Sequence, residues 1–199
     1  KEFTTDKKFL PASVLNLVID PNIPSPQKFF GNIIGAPGVM HHTTDIHNYY
    51  KKLASASTNI SVQQVGTTEE GRPINLVIIA NEETQKKLDF FKHQLALLAD
   101  PRKVGTADVN EIINNTKPVF YLNGGLHSTE MGSPEMLMEL AYRLITSNTE
   151  EIKKIRDNTI IIINPVSEPD GRDKQVDWYY RYSKARANME DGFPFSPPY

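Results

Sequence analysis

The stretch Tyr121-Leu-Asn-Gly-Gly-Leu-His-Ser-Thr-Glu-Met-Gly-Ser-Pro-Glu135 reads as a buried strand, a glycine-rich bend, a His-x-x-Glu pair and a helix start. His127 and Glu130 offer one imidazole nitrogen and one carboxylate, a donor pair that zinc accepts, at a spacing one turn brings together. The pair follows the end of a strand, where open α/β sheets place their sites. Gly124 and Gly125 let backbone approach closely, and Ser133-Pro134-Glu135 supplies an N-cap, a proline at the first helical position and an acid in the first turn. A metal site at the carboxyl end of a strand is the expectation.

Composition narrows the rest. The chain has 199 residues, enough for one domain or a large part of one. Its 39% hydrophobic and 23% charged content is that of an ordinary globular protein. A formal charge of −2 gives no reason to expect nucleic acid as a partner, and no apolar run reaches transmembrane length, so membrane insertion is not expected. With no cysteine there is neither a disulfide framework nor a thiolate metal site. Any zinc must be held by His and carboxylate. Lys1 opens the chain without a hydrophobic signal region, and a secreted or periplasmic setting is the expectation.

Residues 1–42, broken by Pro11, Pro21, Pro24, Pro26 and Pro37, predict an arm anchored on the body by Phe29, Phe30 and Ile33. Residues 43–199 form the body. Ile46, Tyr49, Tyr50 and Leu53 repeat at helical spacing behind Thr44 or Asp45 as N-cap. Strands are predicted near Ile60–Val65 and Ile74–Ala80, joined by Gly66-Thr-Thr-Glu-Glu-Gly-Arg-Pro73. One helix is expected over Glu82–Ala99, a shorter one over Thr106–Asn114, a strand over Pro118–Asn123, and a short helix from Thr149. Thr159–Ile163 is apolar on both faces, as central strands are. Strands alternating with helices predict an α/β fold: a mixed, mostly parallel sheet with helices on both faces.

His-x-x-Glu alone is a weak signal in a chain with five His and 24 acidic residues. His42-Thr-Thr-Asp45 has the same spacing and is better read as helix-start chemistry. His41 and His47 carry no stronger signal, and His93 falls mid-helix as a packing or surface residue.

Three segments in order change the weight of the pair: Gly66-Thr-Thr-Glu-Glu-Gly-Arg-Pro-Ile74, Gly125-Leu-His-Ser-Thr-Glu130 and Pro165-Val-Ser-Glu-Pro-Asp-Gly171. Together they resemble the zinc metallocarboxypeptidases of the M14 family, and bacterial members in particular through Phe29-Phe30-Gly31. The resemblance implies His127 and Glu130 as the first two zinc ligands. It departs at Thr129, where many members carry arginine, and at Glu168, which replaces the asparagine of the Asn-Pro-Asp-Gly pattern; the Pro-Asp-Gly segment is read as a turn. Trp178-Tyr-Tyr-Arg-Tyr-Ser-Lys-Ala-Arg186 resembles the stretch carrying the arginine that polarises the scissile carbonyl. Its register leaves Arg181, Lys184 and Arg186 open, with Arg181 and Arg186 favoured as substrate-binding residues.

The third zinc ligand of the family is a histidine, and its general base a glutamate, both far C-terminal of the pair. No histidine follows His127, so the resemblance implies the N-terminal part of a catalytic domain, apparently truncated, with the general base beyond Tyr199 and this piece inactive alone. The implied activity is zinc-dependent removal of C-terminal residues from a peptide or protein. Two alternatives stay open: a zinc amidohydrolase of the aspartoacylase type, which shares the His-x-x-Glu start, and a non-catalytic carboxypeptidase-like binding module.

Overall fold

The computed structural model describes residues 6–9, 18–105 and 108–183. In chain order they form α1 (Pro26–Phe30), α2 (Thr43–Ala56), β1 (Ile60–Thr67), β2 (Pro73–Ile79), α3 (Glu82–Lys86), α4 (Leu88–Ala99), α5 (Val109–Asn115), β3 (Val119–Asn123), α6 (Gly132–Thr146), α7 (Glu150–Asn158), β4 (Ile160–Asn164) and α8 (Pro169–Trp178). Short 3-10 turns lie at Lys7–Phe9 and Pro101–Lys103, and a π turn at Tyr179–Ser183 follows α8.

Four consecutive isoleucines make β4 the centre of the sheet. Ile161 and Ile163 point into the main core with Val77 and Ile79 of β2, while Ile160 and Ile162 face the other way with Ile78. The main core is closed by Ile46, Tyr49, Tyr50 and Leu53 of α2 and by Leu137, Met138, Ala141 and Ile145 of α6. On the opposite face Leu88 and Phe91 of α4 cover Ile78 and Ile160. Helices therefore lie on both faces, because β2 and β4 are apolar on both. Each fully buried aliphatic or aromatic side chain here contributes about 1.5–3 kcal/mol.

The strand order is β1-β2-β4-β3. β2 pairs antiparallel with β1 and with β4, and β3 pairs parallel with β4, so the sheet is mixed with one parallel pairing in three. A register shift between Gln64 and Gly66 leaves Val65 out of the ladder and 53% exposed. In the β3–β4 ladder Asn123 sits opposite Asn164, so both strands end together and release their loops on one side.

Several boundaries differ from the sequence reading. β3 is an edge strand rather than a buried one: Val119, Phe120 and Tyr121 are exposed, since among the described residues only β4 pairs with it. The helix expected over Glu82–Ala99 breaks at Lys87. Asn81 caps the first piece through Thr84, and the restart at Leu88 turns Phe91 onto the sheet. The N-cap of α2 is His42, not Thr44 or Asp45; Asp45 lies one turn in and its carboxylate accepts from the His42 amide. α6 begins at Gly132, ahead of Ser133, whose hydroxyl accepts from Gly125 N instead of capping the helix. The Pro-Asp-Gly segment is no turn, because Pro169 occupies the first position of α8, where its missing N–H costs nothing.

Residues 18–42 lie on the core through Ile23, Phe30 and Ile34. Ile34, not Ile33, joins Phe30 against the core, and Phe29 lies beside Tyr49 with ring centroids 5.2 Å apart. Tyr49 donates to the Pro24 carbonyl, and Tyr142 accepts from the Asp20 amide.

Candidate metal centre

β3 delivers the chain to Gly124, and crowding at that residue sets the path of the bend. A Cβ on Gly124 would lie 2.7 Å from Leu137 Cδ1 and 2.8 Å from the Pro165 carbonyl oxygen, so only glycine fits between the two strand ends. Gly125 has φ 62°, in the left-handed region, and lifts the chain off the sheet. The bend is stitched to the loop after β4. Gly124 N donates to Asn164 O at 2.8 Å, Ser167 N donates to Gly124 O at 2.8 Å, and Ser167 Oγ donates to Asn123 Oδ1 at 2.6 Å.

His127 and Glu130 then face each other across one tight turn. His127 Nδ1 lies 2.9 Å from Glu130 Oε1. The turn closes with Glu130 N donating to His127 O and Met131 N donating to Thr129 O, both at 3.0 Å. The side chains are 69% and 60% exposed, so the expected pair is brought together on an open surface rather than inside a cleft. One nitrogen and one oxygen donor this close can be reached by one cation, and both types suit zinc. The donor set thus fits two protein ligands. Among the described residues no third His, Asp or Glu joins them.

Beside this turn runs a groove of about 570 Å³, bordered by Ser128 of the turn and by Glu168, Gly171, Trp178, Arg181 and Tyr182. Trp178 and Tyr182 form its aromatic wall, with centroids 4.5 Å apart, and the Arg181 guanidinium lies 5.8 Å from the Tyr182 ring centre. Arg181 therefore stands on the groove that adjoins the pair. Arg186, the other arginine favoured from sequence, and Lys184 lie outside the described residues.

The other histidines have separate roles. His42 Nε2 lies 2.8 Å from Asp177 Oδ1 and its residue caps α2, as helix-start chemistry requires. His93 is on the exposed side of α4. His47 is buried in α2, and burial, reinforced by the nearby Lys51 charge and only partly offset by Asp173, lowers its pKa to about 4.

Arg72, in the β1–β2 connection, binds Asp170 at 2.6 Å and Asp173 at 2.8 Å, both on α8, and Glu70 at 2.6 Å. Burial acts to raise the Asp170 pKa. Hydrogen bonds from Thr68 and Arg72 outweigh it and hold the carboxyl below its usual range. Arg72 thus joins the hairpin turn to the helix that carries the groove.

Sequence reading missed a buried cluster under the turn: His41, Glu135 and Arg172. The signal was present. Glu135 shares the buried stripe of α6 with Met131, Met138 and Tyr142, and an acid on an apolar stripe needs a partner.

The sequence matches the M14 peptidase family, zinc carboxypeptidase, over residues 46–195, and the chain belongs to that family. Among solved structures it is similar to carboxypeptidase A from Helicoverpa armigera, with 20% identity, 74% of this chain and 28% of that one covered, and a TM-score of 0.48. It is also similar to thrombin-activatable fibrinolysis inhibitor (13% identity, 79% and 30% covered, TM-score 0.49). A further match is a putative carboxypeptidase from Burkholderia mallei (20% identity, 67% and 27% covered, TM-score 0.43). The chain thus spans less than a third of the length of these structures. Among curated proteins no sequence matches.

Proposed function

We propose that His127 and Glu130 are two of the zinc ligands of a metallocarboxypeptidase that removes C-terminal residues from peptides or proteins. The convergence of His127 Nδ1 and Glu130 Oε1 at 2.9 Å, in a chain of the zinc carboxypeptidase family, carries this reading. The bound metal would supply Lewis acidity toward a carbonyl and lower the pKa of its water toward about 7.

The chain's own residues prepare that chemistry. The tight turn orients the two donors toward one point. The groove beside it takes the end of a peptide, with Trp178 and Tyr182 as apolar wall and Arg181 offering a guanidinium to a carbonyl or carboxylate. Arg186 is a second candidate for that contact. The third ligand and the general base come from residues other than those described. Residues 1–42 act as an arm fixed to the catalytic body. The setting is secreted or periplasmic, and among the described residues no helix is long and apolar enough to cross a membrane.

The test uses the intact gene product, dialysed and then analysed for metal and for release of amino acids from peptides with varied C-terminal residues. Stoichiometric zinc and single-residue release, both lost in His127→Ala, are expected. Zinc that persists in His127→Ala would overturn the ligand assignment. Cleavage of N-acyl amino acids instead of peptides would move the protein to the amidohydrolases, and peptide binding without turnover would make it a binding module.

A further inference from the structure

Arg172 is 2% exposed, and every nitrogen of its guanidinium is engaged. Nε and Nη2 donate to the His41 carbonyl at 3.1 and 2.8 Å, Nη2 also donates to Glu135 Oε1 at 2.6 Å, and Nη1 donates to the Met131 carbonyl at 3.3 Å. Glu135 is equally satisfied: Oε1 also accepts from His41 N at 3.0 Å, and Oε2 lies 2.7 Å from His41 Nδ1. The Phe30 ring covers the His41 ring with centroids 4.1 Å apart. Four segments meet at this cluster: α1, the approach to α2, the start of α6, and α8.

A buried ion pair of this kind contributes little net stability compared with apolar residues of the same volume. Its effect here is geometric. Met131 directly follows Glu130, and its carbonyl is the point where the cluster touches the turn that holds Glu130. We infer that Arg172, held by Glu135 and His41, is a positioning residue: it fixes the Met131–Gly132 peptide, where the turn enters α6, and so the direction from which Glu130 meets the metal. Through His41 and Phe30, the segment ahead of α2 becomes part of the support of the site. This inference rests on the zinc reading for its functional sense, while the mechanical link between Arg172 and the turn stands on the contacts alone.

The test is Arg172→Lys in the intact protein. Lysine keeps a charge beside Glu135 and loses the fork that reaches two carbonyls. Two quantities are read: amide hydrogen exchange across residues 129–132, and zinc affinity by competition with a chromophoric chelator. Exchange should accelerate in that segment and zinc affinity should fall on the order of ten-fold, in the range seen when the support of a metal ligand is removed. Thr149→Ala is the control. It removes the side-chain cap of α7 without touching the turn, α8 or the buried cluster, and should leave both quantities unchanged. Should Arg172→Lys not fold, the charge-balanced pair Arg172→Met with Glu135→Met replaces it.

The unmodified protein gives a reading that needs no variant. The amide of Met131, a buried residue, should exchange far more slowly than the amides of residues 126–128. Exchange at Met131 as fast as at those residues, or unchanged exchange at 129–132 in the folded variants, overturns the inference. A wild-type protein that binds no zinc refutes the metal reading and leaves the exchange comparison to decide the role of Arg172.

Discussion

Lowering the pH should destabilise this protein through His47, starting above the range in which ordinary carboxylates titrate. The ring is 3% exposed, and neither ring nitrogen has a hydrogen-bond partner in the structure. Burial, aided by Lys51 one turn along α2, lowers the pKa to about 4 against an ordinary 6.5, with Asp173 pulling the other way. The sign comes from proton uptake: between those values the unfolded chain binds a proton at His47 and the folded chain does not. The contribution of neutral His47 to stability is therefore fully present above about pH 6.5 and is lost as the pH falls through the window toward 4. At about 1.4 kcal/mol per pH unit the window corresponds to about 3 kcal/mol, a large part of the stability of an ordinary domain. The perturbation is His47→Leu, which keeps an apolar body in the space and removes the titration. Urea unfolding from about pH 7.5 to about pH 4.5 should show wild type losing most of that about 3 kcal/mol relative to the variant. Carboxylate titration acts on both proteins and cancels in the difference. A difference between the two that stays constant across the range would refute the reasoning.

Gly124→Ala should lower stability by about 1–3 kcal/mol, read as a drop in melting temperature, because the methyl group meets Leu137 and the Pro165 carbonyl at less than 3 Å. Arg72→Ala should lower the urea midpoint, less so at high salt, since it leaves Glu70, Asp170 and Asp173 facing one another; an unchanged midpoint would reduce the cluster to a surface feature. Thr149→Ala removes the side-chain cap of α7 and should cost about 1 kcal/mol without altering zinc affinity. Tyr121→Lys, exposed on β3, which among the described residues pairs only with β4, should reduce any concentration-dependent self-association seen by sedimentation, with the melting temperature nearly unchanged.

Much of the fold was legible because its signals are local. Four isoleucines in a row mark β4 as covered on both faces, and Ile46, Tyr49, Tyr50 and Leu53 mark the buried side of α2. His127 and Glu130 are three residues apart, so their meeting follows from one turn. What escaped depends on distant partners. Val119-Phe-Tyr-Leu122 has the composition of a buried strand, and its exposure is set by which strands flank it. The helix break at Lys87 reflects where Phe91 must land on Ile78 and Ile160. His41 meets Glu135 across 94 residues and Arg172 across 131, separations at which no periodicity survives. The same holds for Pro169, a sound turn residue on local grounds that instead opens a helix docked by Arg72.

The stitching of Gly124 to Asn164 and Ser167 has a consequence for anyone redesigning this protein. The turn bearing His127 and the loop leading into α8 share backbone bonds at their roots, so neither can be exchanged alone without stranding the other's N–H and C=O groups. Substitutions accumulated in one loop during laboratory evolution should therefore show strong non-additivity with changes in the other. Recombination points are better set outside the pair, within β3 and after α8, so that both loops travel as one cassette.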